Sequence, residues 1–346
     1  MSARPAALAP DTTVQINLSP GDVAYAELCV PPLVAAHRAS VARSVAVVDL
    51  CKPQRTKAVD PATRWPGREF EDRVEAIVAI AERLRAAGHF DDVHFLRPGA
   101  ELFERLSDRY LAGHVHETHD YGGTALMAYF AAIDLPPTRY VVHYDGDMLL
   151  HQASDFDWSI EARRLMGAQR DVVAASPRVA PPFAGHTGQP DAPSLREGLP
   201  FAPVAGGWTN SWFSTRCFMI DRERLAAYLP LVRGRMLVDT LARKLLRRGH
   251  PRSPEIMLHR SVGLQGGLKL TLSSERAWLL HPLTKPARYL ELLPRIIESV
   301  RRGDVPDAQR GIPDVELAAW ESFLAGGSPT RGGRADREPD AIARRE

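Results

Sequence analysis

Arg139-Tyr140-Val141-Val142-His143-Tyr144-Asp145-Gly146-Asp147-Met148-Leu149-Leu150-His151 is the stretch on which the reading of this chain turns. The run from Tyr140 to Tyr144 is rich in β-branched and aromatic residues and favours a strand. It ends in two carboxylates one residue apart, and a second short apolar run follows. In an extended or turning backbone, side chains at i and i+2 point the same way, so Asp145 and Asp147 can face one ligand while Gly146 lets the chain approach it. Two like charges at that spacing repel unless a cation sits between them. Carboxylate oxygens suit Mg²⁺ or Mn²⁺, ions commonly held by one or two carboxylates together with substrate phosphates. A plain turn after a strand accounts for the same residues through local hydrogen bonding, so both readings stay open on the motif alone.

Upstream, Val45-Ala46-Val47-Val48-Asp49-Leu50 has the character of a strand buried on both faces and stops at Cys51-Lys52-Pro53. Ligands of open α/β sheets bind beyond the carboxyl ends of strands, which makes Asp49, Lys52 and Arg55 candidates. A helical period over Arg68 to Ala87 ends at Gly88. Val93-His94-Phe95-Leu96 reads as the next strand, Ala100 to Tyr110 as a helix, and Gly122 to Ile133 as an apolar helix entered through two glycines. Strand, helix, strand, helix, strand implies a parallel sheet with right-handed crossovers. Residues 1–20 carry no comparable pattern and read as a flexible leader. Asp22 to Val41 shows helical turns interrupted at Pro31-Pro32.

Downstream, Trp158 to Met166 reads as a helix, Val172 to Ala175 as a strand, and the Pro- and Gly-rich segment Pro177 to Pro203 as a long loop. Phe213 to Ile220, Leu268 to Leu272 and Ala277 to Leu280 read as strands, the last ending at His281-Pro282. Helices are expected over Arg222 to Leu229, Gly234 to Arg248, Glu255 to Gly263, Ala287 to Arg301 and Val315 to Leu324. Residues 326–346 lack apolar anchors and are expected to be disordered. The fold class is therefore α/β, a mixed and mainly parallel sheet flanked by helices.

Composition narrows the classes. Of 346 residues, 45% are hydrophobic and 25% charged, the profile of a globular chain. A formal net charge of +2 gives no general reason to expect nucleic acid. Three cysteines without zinc spacing or even pairing fit the reducing cytoplasm. No secretory signal or transmembrane segment is legible. Arg233, Arg235, Arg243, Lys244, Arg247 and Arg248 stud one helix. With Met236, Leu237, Leu241, Leu245 and Leu246 inward, it could make peripheral contact with anionic lipid, and a solvated basic face explains it as well.

Three stretches together resemble the GT-A glycosyltransferases, specifically the family-2-like inverting type, with coverage from about Val45 to His281. They are Tyr140 to Asp147, the Gly-entered helix after His119-Asp120-Tyr121-Gly122-Gly123, and Pro254-Glu255-Ile256-Met257-Leu258-His259-Arg260 followed by Gly263. In the third, Ile256 stands where the family often has a second acid. The resemblance implies a nucleotide-binding half over about 21–150, an acceptor half over about 151–285 and closing helices over 286–325, all in one domain. It implies a UDP- or GDP-sugar donor and a hydroxyl-bearing acceptor. Asp147 would hold Mn²⁺ or Mg²⁺, with Asp145 touching the ion or the ribose and His281 completing the shell; Asp120, Gly122 and Gly123 would approach the diphosphate. Glu255 would take the acceptor proton, although Glu also suits any first helical turn. Trp208, Asn210 and Trp212 offer indole faces and an amide to a sugar; core packing explains Trp212 nearly as well.

Three rivals stay open. His114-Val115-His116-Glu117-Thr118-His119-Asp120 resembles the histidine motif of metallo-β-lactamase-like hydrolases, with Thr118 at the position of an expected Asp. A sugar nucleotidyltransferase would share the acids and Mg²⁺, but Val48 to Pro53 lacks its Gly-rich loop. A non-catalytic sugar-binding protein would not require Asp145, Asp147, Glu255 and His281 together.

Overall fold

The computed structural model describes residues 11–183, 201–245 and 251–326. Its elements in chain order are β1 (Thr12–Leu18), α1 (Ala26–Ala35), β2 (Arg43–Asp49), α2 (Pro61–Arg64), α3 (Glu69–Ala86), β3 (Asp92–Leu96), α4 (Glu101–Leu111), α5 (Leu126–Asp134), β4 (Tyr140–Asp145), β5 (Leu149–Gln152) and α6 (Trp158–Ala168). There follow β6 (Val172–Ser176), β7 (Ala202–Val204), β8 (Gly207–Asn210), β9 (Cys217–Asp221), α7 (Arg222–Ala226), α8 (Gly234–Leu245), α9 (Pro254–Ser261), β10 (Leu268–Leu272), β11 (Ala277–Leu280), α10 (Ala287–Arg302) and α11 (Leu317–Leu324). Nine strands form one mixed sheet in the order β3-β2-β1-β4-β9-β6-β10-β8-β7, and β5 pairs with β11 apart from it. The β3-β2-β1-β4 half is parallel throughout, β6 and β10 pair in parallel, and β9 runs antiparallel between β4 and β6.

Alternation along the strands builds a core on each face. Ala46, Val48, Val142, Tyr144 and Met219 face one side with α1, α3 and α6, while Val47, Val141, Phe218 and Ile220 face the other with α4 and α5. A third core joins β11 to α10 and α11 around Trp278, Tyr289 and Trp320. The parallel register sets the carboxyl ends of β1, β2 and β4 side by side, with Asn17 opposite Asp145. That edge carries the candidate chemistry.

Several expectations are corrected. The flexible leader expected over 1–20 contains β1, a central strand over Thr12–Leu18, while residues 1–10 of it lie outside the described residues. Its polar residues hide the pattern, since Thr13 and Gln15 are fully buried and are satisfied by Thr138 and His143. The α1 helix runs through Pro31 and Pro32 instead of breaking there. Its buried face, Ala26, Val30, Leu33 and Val34, packs into the first core and outweighs the missing donors. The α5 helix starts at Leu126, so Gly122 and Gly123 belong to a turn ahead of it. The strand expected from Phe213 begins at Cys217, and Gly207–Asn210 forms a strand of its own. Most of the long loop, residues 184–200, lies outside the described residues, as do 327–346 of the expected tail and Leu246, Arg247 and Arg248. In α8, Met236 is buried as expected, but Leu241 and Leu245 point outward with Val238. Among the described residues, no helix is long and apolar enough to cross a membrane.

Candidate active site

Two clefts open on the carboxyl edge of the sheet and meet at the acidic turn. The smaller, of about 210 Å³, is walled by the end of β1, by Asp49 and Cys51 after β2, and by Trp65, His119, Gly123 and Asp147. The larger, of about 630 Å³, is walled by Thr215 and Arg216, Glu255, Lys269, Asn210, Trp212 and His281. Tyr129 and Asp145 line both.

The shared wall is tightly built. The Tyr129 phenol, presented by α5, donates to both carboxylate oxygens of Asp145 at 2.9 Å. Burial and that carboxylate push the phenol well above its ordinary range, so it stays a donor. His143, sealed in the sheet, lies 3.3 Å from Asp145 through Nε2 and meets Gln15 through Nδ1. Gly146 is required by space: a Cβ there would lie 2.7 Å from Leu18 Cδ2 and 3.0 Å from the Asn17 carbonyl oxygen. This close approach presses the turn against β1 and brings Asp147 over the small cleft.

Asp147 has one oxygen paired and one orphaned. Lys285 Nζ sits 2.7 Å from Oδ2 and His281 Nε2 sits 3.6 Å from it. Oδ1 is buried without a hydrogen-bond partner among the described residues. An unsatisfied buried carboxylate oxygen is costly, and a hard divalent cation with oxygen and imidazole ligands suits it. Asp145, Asp147 and His281 thus fit such an ion in donor chemistry, although among the described residues no three such side chains are already gathered into a metal-holding group. His281 is fixed from behind by Asp314, 3.4 Å from its Nδ1.

Asp22 is a further acid at this edge that the sequence reading passed over. It closes a capping box with Ser19 and accepts from the Tyr25 hydroxyl. Burial, then the Asp147 charge, raises its carboxyl to about 6. The signal was present as Ser19-Pro20-Gly21-Asp22, the S-x-x-D form of an N-terminal box.

In the small cleft, Asp49 accepts from the Cys51 N–H at 2.9 Å and lies 3.3 Å from His119 Nε2. Burial raises Asp49 to about 7 and lowers His119 to about 4, so desolvation outweighs their attraction and a neutral pair is favoured. Asp120 caps the glycine turn, accepting from the Thr124 N–H at 2.8 Å. Gly123 has φ +80°, and a Cβ there would lie 3.0 Å from Val59. Lys52 and Arg55 do not line the cleft. Lys52 lies over the Phe70 ring near Glu71, and Arg55 pairs with Asp60. Arg64, stacked on Trp65, is the cation that does line it.

In the large cleft, Glu255 sits in the first turn of α9, which is capped by Ser253 and entered through Pro254. Its Oε1 accepts from the Thr215 N–H at 3.0 Å and lies 3.4 Å from the Thr215 hydroxyl. Burial raises its carboxyl above the usual range, against Thr215 and the charges of Arg216 and Lys269. Thr215 also interacts with the Tyr129 phenol, so a polar chain runs from Asp145 through Tyr129 and Thr215 to Glu255. Asn210 and Trp212 line this cleft. Trp208 does not: it is buried under Arg178, whose guanidinium lies 5.7 Å from the ring centroid. The histidines of the rival hydrolase motif are dispersed, with His116 beside Glu104, His119 beside Asp49, and the His114 carbonyl bound by Lys244.

No family model matches the chain, and no curated protein matches it by sequence. Solved structures do. The galactosyltransferase LgtC, with donor and acceptor sugar analogs, is 12% identical, with 75% of this chain and 72% of that chain covered at a TM-score of 0.32. Mouse xyloside xylosyltransferase 1 in its apo form is 11% identical over 73% of this chain and 82% of that chain, at a TM-score of 0.35. Core-mannan synthase A from Aspergillus fumigatus, in a Mn/GDP form, is 12% identical over 78% and 72%, at a TM-score of 0.32. The first two are sugar transferases by name and the third a mannan synthase, and the likeness to all three is distant.

Proposed function

We propose that this chain is a metal-dependent glycosyltransferase of the GT-A type, moving a sugar from a UDP- or GDP-sugar to an acceptor hydroxyl. The observation that carries the reading is the pair of clefts joined at Asp145, with the orphaned oxygen of Asp147 beside the junction. A nucleotide would occupy the small cleft, with Trp65 as an apolar wall and Asp49 with His119 as polar groups for base or ribose. The large cleft takes the acceptor.

Asp147, with Asp145 and His281, would hold Mn²⁺ or Mg²⁺, which neutralises charge on a diphosphate leaving group. Lys285 supplies a second positive charge there and exchanges its contact with Asp147 for a phosphate oxygen. Tyr129 keeps Asp145 oriented. Glu255 is the general base for the acceptor hydroxyl, giving inversion. Its Oε1 is anchored by Thr215, and its raised carboxyl is the better proton acceptor for it.

A melting screen tests this with UDP, GDP, TDP and CMP, each with Mn²⁺, Mg²⁺ or EDTA. A ligand at about a hundred times its dissociation constant stabilises the fold by roughly 2.7 kcal/mol. One diphosphate should shift the melt with metal and lose that shift in EDTA. A flat screen overturns the reading.

A further inference from the structure

Lys269 is a buried cation that no described residue neutralises at contact distance. It is 5% exposed, the second residue of β10, yet it makes no ion pair or hydrogen bond with any described residue. Alternation explains its direction: Leu268, Leu270 and Leu272 pack into the first core, so Lys269 and Thr271 face the opposite side, where both line the large cleft. Asn210 is directly across on β8 and lines the same wall.

Holding a strongly hydrated ammonium in so covered a place is expensive unless a partner arrives. The neighbouring acids are committed elsewhere. Asp314 lies against Arg216 and His281, Asp145 against Tyr129, and Glu255, whose charge is felt by Lys269, is hydrogen-bonded to Thr215 and makes no ion pair or hydrogen bond with Lys269. Arg216 adds a second, half-exposed positive group to the same wall.

We propose that the acceptor carries an anionic group, a carboxylate or a phosphate monoester, which Lys269 binds on the far wall of the large cleft. This rests on the transferase reading for the identity of the ligand as the acceptor. The full chain, Lys269→Met and Lys269→Arg are titrated by calorimetry with glycerol, glycerate and glycerol 3-phosphate, with and without UDP or GDP plus Mn²⁺. Charged hydrogen bonds of this kind correspond to about 10- to 100-fold in affinity. At least one anionic probe should bind the wild type about tenfold or more tightly than glycerol, and glycerate against glycerol 3-phosphate separates carboxylate from phosphate. Lys269→Met should lose the preference, Lys269→Arg should keep part of it, and ligand-free Lys269→Met should melt no lower than wild type. The proposal is overturned if glycerol binds as well as the anions or if Lys269→Met keeps the preference. It is overturned equally if ligand-free Lys269→Met melts well below wild type, since Lys269 is then a structural counter-charge. Anion binding without any nucleotide binding removes the transferase reading and leaves the cationic site; nucleotide binding without anion binding does the reverse.

Discussion

Asp147 and Glu255 divide the proposed chemistry between the two clefts, so their variants should fail differently. Asp147→Ala removes the orphaned oxygen and the contact for His281 and Lys285. Mn²⁺-dependent nucleotide binding should disappear from calorimetric titrations of that variant. Glu255→Gln keeps the shape and the Thr215 contacts but not the base; turnover should fall by about 10²–10⁴-fold with nucleotide affinity unchanged. Asp49 makes a pH prediction. Its folded carboxyl, raised from 3.8 to about 7, binds its proton more tightly than the unfolded chain does. That contribution to stability is complete below the unfolded value and is lost as pH rises through about 7. Urea midpoints of the wild type should therefore decline relative to Asp49→Asn between about pH 4 and pH 8, and parallel curves would show that Asp49 does not titrate in this range.

The acidic turn works as an element because three strands end together and the turn is pressed against one of them. Gly146→Ala puts a methyl where Leu18 and the Asn17 carbonyl already are. Overpacking of this kind costs about 1–3 kcal/mol, and because the turn must lift, the nucleotide-induced melting shift should shrink as well. The outward face of α8 is a separate matter of element packing. Val238, Leu241 and Leu245 are 67%, 42% and 85% exposed, so the helix buries Met236 and Thr240 instead of the larger leucine face that periodicity suggested. Helical spacing identifies two opposed stripes without saying which one the neighbours cover.

At the scale of the molecule, the third core ties the C-terminal helices to the candidate metal ligand. Trp320 is fully buried and donates to Gln309 at 2.9 Å, and Gln309 in turn binds the carbonyls of Ile312 and Asp314. That segment bridges to His281 through backbone contacts on both sides. Trp320→Ala should cost about 3–5 kcal/mol and weaken Mn²⁺-dependent nucleotide binding, although Trp320 lines neither cleft. Hydrogen exchange should show faster opening around 309–315; an unchanged exchange pattern there would disconnect the helices from the site.

The sequence by itself determined the alternation of strands and helices from Val45 to Asp147, the acidic turn, and the first-turn position of Glu255, because each is a local pattern of period, capping and turn chemistry. It did not reveal that Lys52, Arg55 and Trp208 lie outside the cleft linings, because their neighbours Glu71, Asp60 and Arg178 cannot be read from adjacent positions in the chain. Only the tertiary structure decided that a polar N-terminal stretch is a central strand, that Tyr129 orients Asp145, and that Lys269 faces a cleft. These depend on which buried polar group finds a partner across the sheet, and such pairings join residues far apart in sequence: Gln15 and His143 are separated by 128 positions. A lysine alternating with leucines in a strand looks solvent-facing until the fold closes the space in front of it.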